Sequence, residues 1–218
     1  RAQARAVLAP GDVVLESAGH CPTCDQDVTF TARQSWLRDH FLCSNCGSIP
    51  RERALMAVIG MYYPNWRELV IHESSPGNRG ASVRLAGECP GYLPSQYFPD
   101  REPGSMVGRV RCENLEALTF PDASIDLHIS QDVMEHVFHP AEVFKEIART
   151  LKPGGAHIFT VPIMNKERPT RLRARLADDG KIVHLQDPVY HGNPISDQGS
   201  LVTVDWGYDI CRHIFEAS

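Results

Sequence analysis

The stretch SIDLHISQDVMEHVFHPAEVFKEIARTLKPGGAHIFTVP (residues 124–162) decides the predicted fold. It begins with SIDLHISQ and ends with AHIFTVP, and each of these apolar runs is typical of a buried strand. Between them, residues 141–151 carry apolar side chains at helical spacing, with Pro140 at the start of the helix and KPGG after its end. The residues that share the helical face are Val143, Phe144, Ile147, Ala148 and Leu151. We therefore predict a strand, a helix and a second strand in one βαβ unit.

The same alternation extends toward the amino terminus. The predicted elements are a helix at RERALMAVIGMYY (51–63), a strand at ELVIH (68–72), a helix at GASVRLAG (80–87), a broken strand at GYLPSQYF (91–98) and a strand at VGRVRCEN (107–114). The first helix would place one apolar face inward, formed by Leu55, Val58, Ile59 and Tyr62. Strands that alternate with helices predict an α/β, Rossmann-like, doubly wound and mostly parallel sheet.

Residues beyond this alternation are less regular. The predicted elements are a helix at RLRARLADDGK (171–181), a long polar loop at DPVYHGNPISDQGS (187–200), a strand at LVTVDWG (201–207) and a closing helix at YDICRHIFEA (208–217). Because long ordered loops are often functional, the polar loop is a candidate part of a binding site.

Two cysteine pairs lie near the amino terminus. CPTC contains Cys21 and Cys24, and CSNCG contains Cys43 and Cys46. This spacing is typical of a zinc ribbon, and four thiolates would bind a structural Zn²⁺ with no open position. Four free or redox-active thiols, or an iron site, are the alternatives. We predict a zinc-binding module over residues 1–50, with a second domain over residues 51–218.

The other three cysteines, Cys89, Cys112 and Cys211, are scattered along the chain. Each is expected to be a small buried apolar residue.

Composition limits the partners of the chain. It has 218 residues with a formal net charge of −5, so nothing in the overall charge attracts a nucleic acid. No apolar run is long enough to cross a membrane, and RAQARAVLAPG (1–11) does not have the pattern of a signal peptide. Paired cysteines without a disulfide pattern favour a reducing, cytoplasmic setting. No oligomeric state is predicted.

The loop VIHESSPGNRG (70–80) follows the first predicted strand of the sheet. Glu73 ends that strand, and Gly77 and Gly80 allow a tight turn close to a ligand. Ser75 and Arg79 stand where glycine-rich nucleotide loops have glycines. By itself this loop fits either a cofactor loop or a plain turn.

Residues 113–162 resemble the class I S-adenosylmethionine-dependent methyltransferase family, of the type 11 kind. The matching segments are LTFPDASIDLHIS, VMEHVFHP and EIARTLKPGG, and the resemblance covers about 95 residues from the opening loop to TVP. The segment GSIPRERALMAVI (47–59), after the cysteine pairs, is similar to methyltransferases that carry a small zinc module in front. The resemblance implies S-adenosylmethionine as the cofactor.

The family's cofactor-binding positions imply a set of site residues in this chain. Glu73 matches the acid near the amino-acid part of the cofactor. The remaining positions are Ser75 and Gly77 in the loop, Gln96 at the ribose, Asn114 (with Glu113 as its rival) and Leu115 at the adenine, and Gln131 and Asp132 near the sulfonium. A dinucleotide-binding enzyme is the competing interpretation, but it would need a different glycine spacing and an acid after the second strand.

Methyl transfer to an oxygen of high pKa needs a general base. The candidates are His136, which the family commonly places on a structural helix, His139, and His184 and His191, which lie where the family varies with its acceptors. A second metal site of His184, Asp187 and His191 is an alternative. Tyr190 is a candidate wall of an acceptor pocket, whereas Trp206 is expected in the core. Four arginines could bind an acceptor phosphate or carboxylate: Arg168, Arg171, Arg173 and Arg175.

The predicted function is transfer of a methyl group to a small-molecule acceptor, most readily an oxygen of a sugar or natural product. Two alternatives remain open. One is an RNA base methyltransferase whose zinc ribbon binds RNA, and the other is a non-catalytic interaction module on a methyltransferase fold.

Overall fold

The computed structural model describes residues 13–193 and 196–218, without the side chains of residues 193 and 196. The chain forms two compact units. The first comprises Arg1–Arg67, described from residue 13 onward, together with Gly77–Pro90, and the second comprises Glu68–Pro76 and Gly91–Ser218. The predicted domain boundary after residue 50 stays a prediction.

The first unit combines a small antiparallel sheet with helices. Its elements are β1 (Leu15–Cys21), β2 (Gln26–Ala32), α1 (Leu37–His40), β3 (Phe41–Cys43), α2 (Pro50–Tyr62) and α3 (Gly80–Glu88). The three strands lie in the order β1-β2-β3. The predicted helices at 51–63 and 80–87 are therefore present, and a 3₁₀ turn, Trp66–Glu68, follows α2.

The second unit is built on a six-stranded sheet. Its strands are β4 (Ile71–Ser74), β5 (Tyr92–Gln96), β6 (Met106–Val107), β7 (Val110–Cys112), β8 (Ile125–Gln131) and β9 (Leu151–Thr160), and α4 (Pro140–Thr150) joins the last two. All adjacent pairs are parallel except β6 with β7. The predicted mostly parallel α/β sheet is confirmed.

The strand order, β6-β7-β5-β4-β8-β9, contains a topological switch point. From β4 the chain continues outward through β5 to β7, and then returns to the other side of β4 to form β8 and β9. Ligands of open α/β sheets bind at the carboxyl ends of the strands where the order reverses. The switch point lies between β4 and β8.

Residues after β9 differ from the prediction. They form β10 (Arg171–Leu172), β11 (Ala174–Leu176), β12 (Ile182–His184), β13 (Tyr190–Asn193), β14 (Ser196–Leu201) and β15 (Val204–Asp205), and then α5 (Ile210–Ala217). The predicted helix at 171–181 is wrong, because β10 pairs with β15 and β11 pairs with β12. The predicted loop at 187–200 is wrong as well, because β13 and β14 pair; only residues 194 and 195 of that stretch lie outside the described residues. The closing helix is present.

An apolar core lies under α4 and α5. Its buried residues are Leu115, Leu118, Phe120, Ile125, Met134, Val143, Phe144, Ile147, Val204, Trp206 and Ile210. Trp206 is buried as expected, and its indole N–H donates to the carbonyl of Met134 at 3.0 Å. Ala148, which shares the predicted face, is exposed. Among the described residues, no helix is both long and apolar enough to span a membrane.

Three further burial predictions were wrong. Val58 and Tyr62 of α2 are exposed, and Met56 is buried in their place, because the buried stripe of α2 follows Leu55, Met56 and Ile59. Cys89 and Cys112 are buried, but Cys211 is exposed on α5.

Two buried histidines connect neighbouring strands of the large sheet. His72 and His128 are paired in register on β4 and β8, and their Nδ1 atoms lie 2.8 Å apart. The outer nitrogens are held by the hydroxyls of Ser95, 2.7 Å from His72, and Thr150, 2.8 Å from His128. Burial lowers the pKa of His128 to about 4 and also places the pKa of His72 well below its ordinary value.

We expect the His72–His128 pair to lower the free energy of unfolding in acid. Because the folded pKa of His128 lies below the unfolded value, the unfolded chain binds the extra proton, and stability falls between about pH 6.5 and pH 4. A shift of this size corresponds to about 3 kcal/mol from His128 alone. Urea unfolding across this pH range measures the change in the free energy of unfolding.

Two variants test the assignment to His128. His128→Gln is expected to be less stable at pH 8 but to show a weaker dependence of unfolding free energy on pH, whereas His184→Gln, at an exposed position, keeps the wild-type dependence. Equal slopes for His128→Gln and wild type would contradict the assignment.

Gly80 at the start of α3 has a specific structural role. Its φ is +57°, and a Cβ at this position would overlap the Glu52 carboxylate, which accepts the N–H of Ile49 at 2.9 Å. Gly80→Ala is expected to destabilise the first unit by about 2 kcal/mol through strain and steric overlap. Gly87→Ala is the matched control, because a Cβ there meets nothing within 4 Å, and a gain of about 0.5–1 kcal/mol is expected from helix propensity. Thermal unfolding measures both, and equal melting temperatures for the two variants would contradict this role.

Candidate functional site

The carboxyl ends of β4 and β8 bring two of the predicted cofactor-binding residues into contact. Glu73 of β4 is fully buried, and the side-chain amide of Gln131, the last residue of β8, donates to its Oε1 at 3.1 Å. The Tyr92 hydroxyl donates to Oε2 at 2.7 Å. Burial, and then the charge of Glu73, raise the pKa of Tyr92, so the phenol stays a donor. Both carboxylate oxygens are thus fixed in place at the switch point.

Backbone geometry at the same strand ends is unusual. Ser75 follows β4 with φ +54°, and Asp132 follows β8 with φ +53°. Non-glycine residues uncommonly adopt this left-handed conformation, and such residues are enriched at functional sites. Hydrogen bonds hold both residues: the Ser75 N–H donates to the carbonyl of Ser95 at 2.8 Å, and the Asp132 N–H donates to that of Thr160 at 2.9 Å. The Asp132 carboxylate also accepts the Thr160 hydroxyl at 3.2 Å.

The predicted ribose and adenine residues follow the next two strands. Gln96 ends β5, and its carbonyl accepts the N–H of Glu113 at 3.1 Å. The Asn114 side-chain oxygen accepts the N–H of Glu116 at 3.0 Å, which fixes the amide. Leu115 is buried in the core.

Glu113, the rival of Asn114, is held by its neighbours. Its carboxylate accepts from the Arg111 guanidinium and from the N–H and hydroxyl of Thr119. A carboxylate with three such partners is a structural ion pair, which favours Asn114 as the residue near an adenine.

Gly77 belongs to the first unit. Its N–H donates to the Ser82 hydroxyl at 2.9 Å, at the turn that leads into α3. Its role in cofactor binding stays a prediction.

Of the four candidate bases, the structure brings two together. The rings of His136 and His191 meet edge to face with centroids 5.2 Å apart. Burial lowers the pKa of His136, and its hydrogen bond to the carbonyl of Leu201 only partly opposes this. His184 lies exposed on β12.

The predicted second metal site is not formed as proposed. Among residues 13–193 and 196–218, His191 clusters with Glu135 and His136, not with His184 and Asp187. Neither Tyr92 nor Glu135 was identified from the sequence. Glu135 could have been noticed, because it precedes His136 in MEHV, whereas nothing in the sequence indicated Tyr92.

Two of the four clustered arginines have structural partners. Asp205 Oδ2 accepts from Arg171 at 3.3 Å and from Arg173 at 2.9 Å. Arg173 also donates to the carbonyl of Asp187. Tyr190 is exposed, which leaves it able to contact an acceptor.

The four cysteines of the first unit converge. Sγ of Cys21 lies 3.8 Å from Sγ of Cys46, and Sγ of Cys24 lies 3.8 Å from Sγ of Cys43. All four sulfurs lie within 4.8 Å of one another. A tetrahedron with Zn–S bonds of about 2.3 Å has edges of about 3.8 Å, so the cluster has the size of a tetrathiolate zinc site. A disulfide would need sulfurs about 2 Å apart.

The pKa values of these thiols also favour a bound cation at the cluster. Burial opposes ionisation of Cys21, but hydrogen bonds from the Ser48 hydroxyl and from nearby backbone N–H groups lower its pKa to about 6. Burial, together with the neighbouring thiols, raises the pKa of Cys24 to about 12 and also raises that of Cys46. Four adjacent thiolates therefore need a metal ion to be stable together. The residues present fit a structural Zn²⁺.

Arg53 adds a positive charge beside this cluster. Its guanidinium lies 4.4 Å from the centre of the Phe30 ring and donates to the carbonyl of Phe41 at 3.0 Å. The pKa of Arg53 is lowered by burial, while the charges of the cysteines oppose that effect. A tetrathiolate zinc centre carries a net charge of −2, so a fixed cation beside it is favourable.

Comparison with known proteins supports a methyltransferase domain in the second unit. Residues 95–159 match the family model described as a methyltransferase domain. This segment runs from β5 to the end of β9 and includes the predicted adenine and sulfonium positions.

Curated relatives match over short segments. A probable S-adenosylmethionine-dependent methyltransferase of Mycolicibacterium smegmatis is 38% identical over 53 residues, which is 24% of this chain and 21% of the relative. A dimethylglycine N-methyltransferase of Parasynechococcus marenigrum is 44% identical over 50 residues, which is 23% of this chain and 18% of the relative. The matched segments thus span about a fifth of these relatives.

Solved structures of similar description also match. An S-adenosylmethionine-dependent methyltransferase from Mesorhizobium loti superposes with a TM-score of 0.47 and 17% identity, over 76% of this chain and 80% of that one.

Proposed function

We propose that this chain is an S-adenosylmethionine-dependent methyltransferase that acts on a small-molecule acceptor. The observation that carries the proposal is the contact between Glu73 and Gln131 at the switch point of the sheet. The match of residues 95–159 to a methyltransferase domain supports it.

The strand-end residues fit the chemical groups of this cofactor. S-adenosylmethionine carries an ammonium group and a sulfonium, and it has no phosphate. Tyr92 and Gln131 are neutral donors, so they orient the Glu73 carboxylate without cancelling its charge. A carboxylate oxygen can accept more than one hydrogen bond, and the negative charge of Glu73 would attract the ammonium group. Asp132, held by Thr160, adds a second negative group at the end of β8.

The chain's contribution to catalysis would be mainly positioning. When bound, the cofactor supplies an activated methyl group, which moves to a lone pair of the acceptor while the C–S bonding pair stays on sulfur. Glu73 and Asp132 would bind and orient the cationic donor, and Gln96 and Asn114 would hold its nucleoside part. A hydroxyl acceptor loses its proton to a base or to solvent, and His184 is an exposed candidate. Orientation of the methyl donor and the acceptor would supply much of the reduction in the activation free energy of methyl transfer.

The charge of residues 13–49, the segment that carries the cysteine cluster, favours a small acceptor over RNA. Residues 13–49 contain four acidic side chains and two basic ones, a formal charge of −2 with histidine neutral. A tetrathiolate zinc centre would make this region more negative still. RNA-binding surfaces need clustered positive charge, so a hydroxyl-bearing sugar or natural product is the acceptor class that we propose.

Transfer from methyl-labelled S-adenosylmethionine tests the proposal. The full chain is incubated separately with hydroxyl-bearing small molecules, small amines and total RNA, and label is counted in each acceptor fraction. We expect label in the hydroxyl fraction and its loss in Glu73→Gln. Label in RNA alone would favour an RNA methyltransferase, and tight cofactor binding without transfer to any fraction would favour the non-catalytic interpretation.

A further inference from the structure

A carboxylate and two imidazoles meet in the second unit, away from the cysteine cluster. Oε1 of Glu135 lies 3.8 Å from Nε2 of His136 and 3.6 Å from Nδ1 of His191. One ligand atom from each of the three residues lies within 4.8 Å of the other two. Glu135 is 2% exposed, so its charge is held in a medium of low dielectric constant.

The orientation of His136 is that of a metal ligand. Its Nδ1 lies 2.8 Å from the carbonyl oxygen of Leu201. Because a carbonyl oxygen can only accept, Nδ1 carries the hydrogen, and the neutral ring presents the Nε2 lone pair toward Glu135. Histidines that bind metals commonly donate their other N–H to a backbone carbonyl in this way.

The backbone around these residues is held firmly. The N–H of Thr203 donates to the carbonyl of Glu135 at 2.8 Å, and its hydroxyl does so at 3.1 Å. His191 lies on β13, paired with Ser200 of β14. Leu201, which ends β14, accepts from His136, so the two segments that carry the ligand atoms are connected directly.

We propose that Glu135, His136 and His191 form a binding site for a divalent first-row transition-metal ion. Two imidazole nitrogens and one carboxylate oxygen are the ligand set of several catalytic zinc and iron(II) sites. Bonds of about 2.0–2.1 Å in a tetrahedral arrangement put neighbouring ligand atoms about 3.3 Å apart. Binding therefore requires each imidazole nitrogen to move a few tenths of an ångström closer to Oε1 of Glu135, from 3.8 Å and 3.6 Å. The two nitrogens themselves lie within 4.8 Å of each other.

The site would keep open coordination positions. Three protein ligands leave at least one position for water or another oxygen ligand. The His191 side chain is 43% exposed, so solvent reaches the His191 edge of the site. Asp132 lies three residues before Glu135, and its charge acts on His136. If the proposed function is correct, the open position would take an acceptor oxygen near the methyl donor.

Metal titration of the full chain tests the site without cofactor or acceptor. The protein is purified with zinc in the cysteine cluster and dialysed, and Co²⁺ is added while binding is followed by calorimetry and visible absorption. We expect one further equivalent per chain with the weak absorption bands of nitrogen and oxygen ligands. Thiolate ligation would instead give intense charge-transfer bands.

Substitutions identify the ligands. His191→Ala, at a position whose side chain is 43% exposed, is expected to weaken this second equivalent at least 100-fold, and Glu135→Gln to abolish it. His184→Ala is the matched control and should bind as wild type does. Binding of no second equivalent by wild type, or equal binding by His191→Ala and His184→Ala, would overturn the proposal. Because no S-adenosylmethionine is present, failure of the proposed methyl transfer would leave this result unchanged.

Discussion

Glu73→Gln is expected to weaken S-adenosylmethionine binding roughly 100-fold, equivalent to about 3 kcal/mol. The substitution keeps the shape of the side chain and removes the buried charge that would face the ammonium group of the cofactor. Calorimetry with S-adenosylmethionine measures the change. The proposed site depends on this residue more than on any other, which is why the expected effect is large.

Two matched variants make the result specific. Tyr92→Phe removes the hydroxyl that holds Oε2 of Glu73, so a smaller loss of roughly 10-fold is expected from the less well-oriented carboxylate. Glu142→Gln removes an exposed carboxylate on α4 and should leave the affinity unchanged. Unaltered binding in Glu73→Gln, with wild-type thermal stability, would contradict the role of Glu73.

Removal of the metal from the cysteine cluster is expected to unfold the sheet of the first unit. In the three strands of that sheet only Cys21, Ala32 and Cys43 are buried. Structural zinc in zinc-finger peptides contributes about 10–16 kcal/mol of apparent binding free energy. Cys43→Ser should lose the metal and the β-sheet signal of residues 15–43. Metal content by atomic emission and circular dichroism with added chelator measure both effects.

Cys211→Ser is the control for this experiment. Cys211 is exposed on α5, far along the chain from the cluster, and its loss should leave one tightly held zinc. Metal-free protein that keeps its first-unit structure in reductant, or a Cys43→Ser variant that keeps its zinc, would contradict the structural role.

The sequence predicts the parts of the fold whose pattern is local. The runs that form β8 and β9 are apolar over most of their length, and α4 has both helical periodicity and Pro140 at its first position. The cysteine cluster was predictable for a similar reason, because two C-x₂-C turns have few ways to orient their thiols.

The secondary-structure predictions are wrong where pairing between strands that are distant in the sequence outweighs local helix or loop propensity. Residues 171–176, RLRARL, are good helix formers, but their apolar and charged residues alternate strictly, which is the pattern of a strand. The structure pairs β10 with β15 and binds Arg173 to Asp205, and these contacts override helix propensity. The strands β13 and β14 were predicted as a loop because their residues are mostly polar, but the two strands pair with each other.

The candidate site likewise contains some residues that the sequence identifies and others that only the structure reveals. Glu73, Gln131 and Asp132 could be named because the resemblance to methyltransferases assigns roles to positions at the carboxyl ends of two strands with a recognisable pattern. Their partner Tyr92, and the cluster of Glu135 with His191, depend on three-dimensional packing that no spacing in the sequence encodes.

A crystal structure of the full chain with S-adenosylhomocysteine tests the central claim most directly. We expect the amino-acid part of the ligand beside Glu73 and Gln131, and its sulfur near Asp132, at the carboxyl ends of β4 and β8. Ligand density at any other place on the chain, or packed side chains filling that position while saturating ligand is present, would contradict the account.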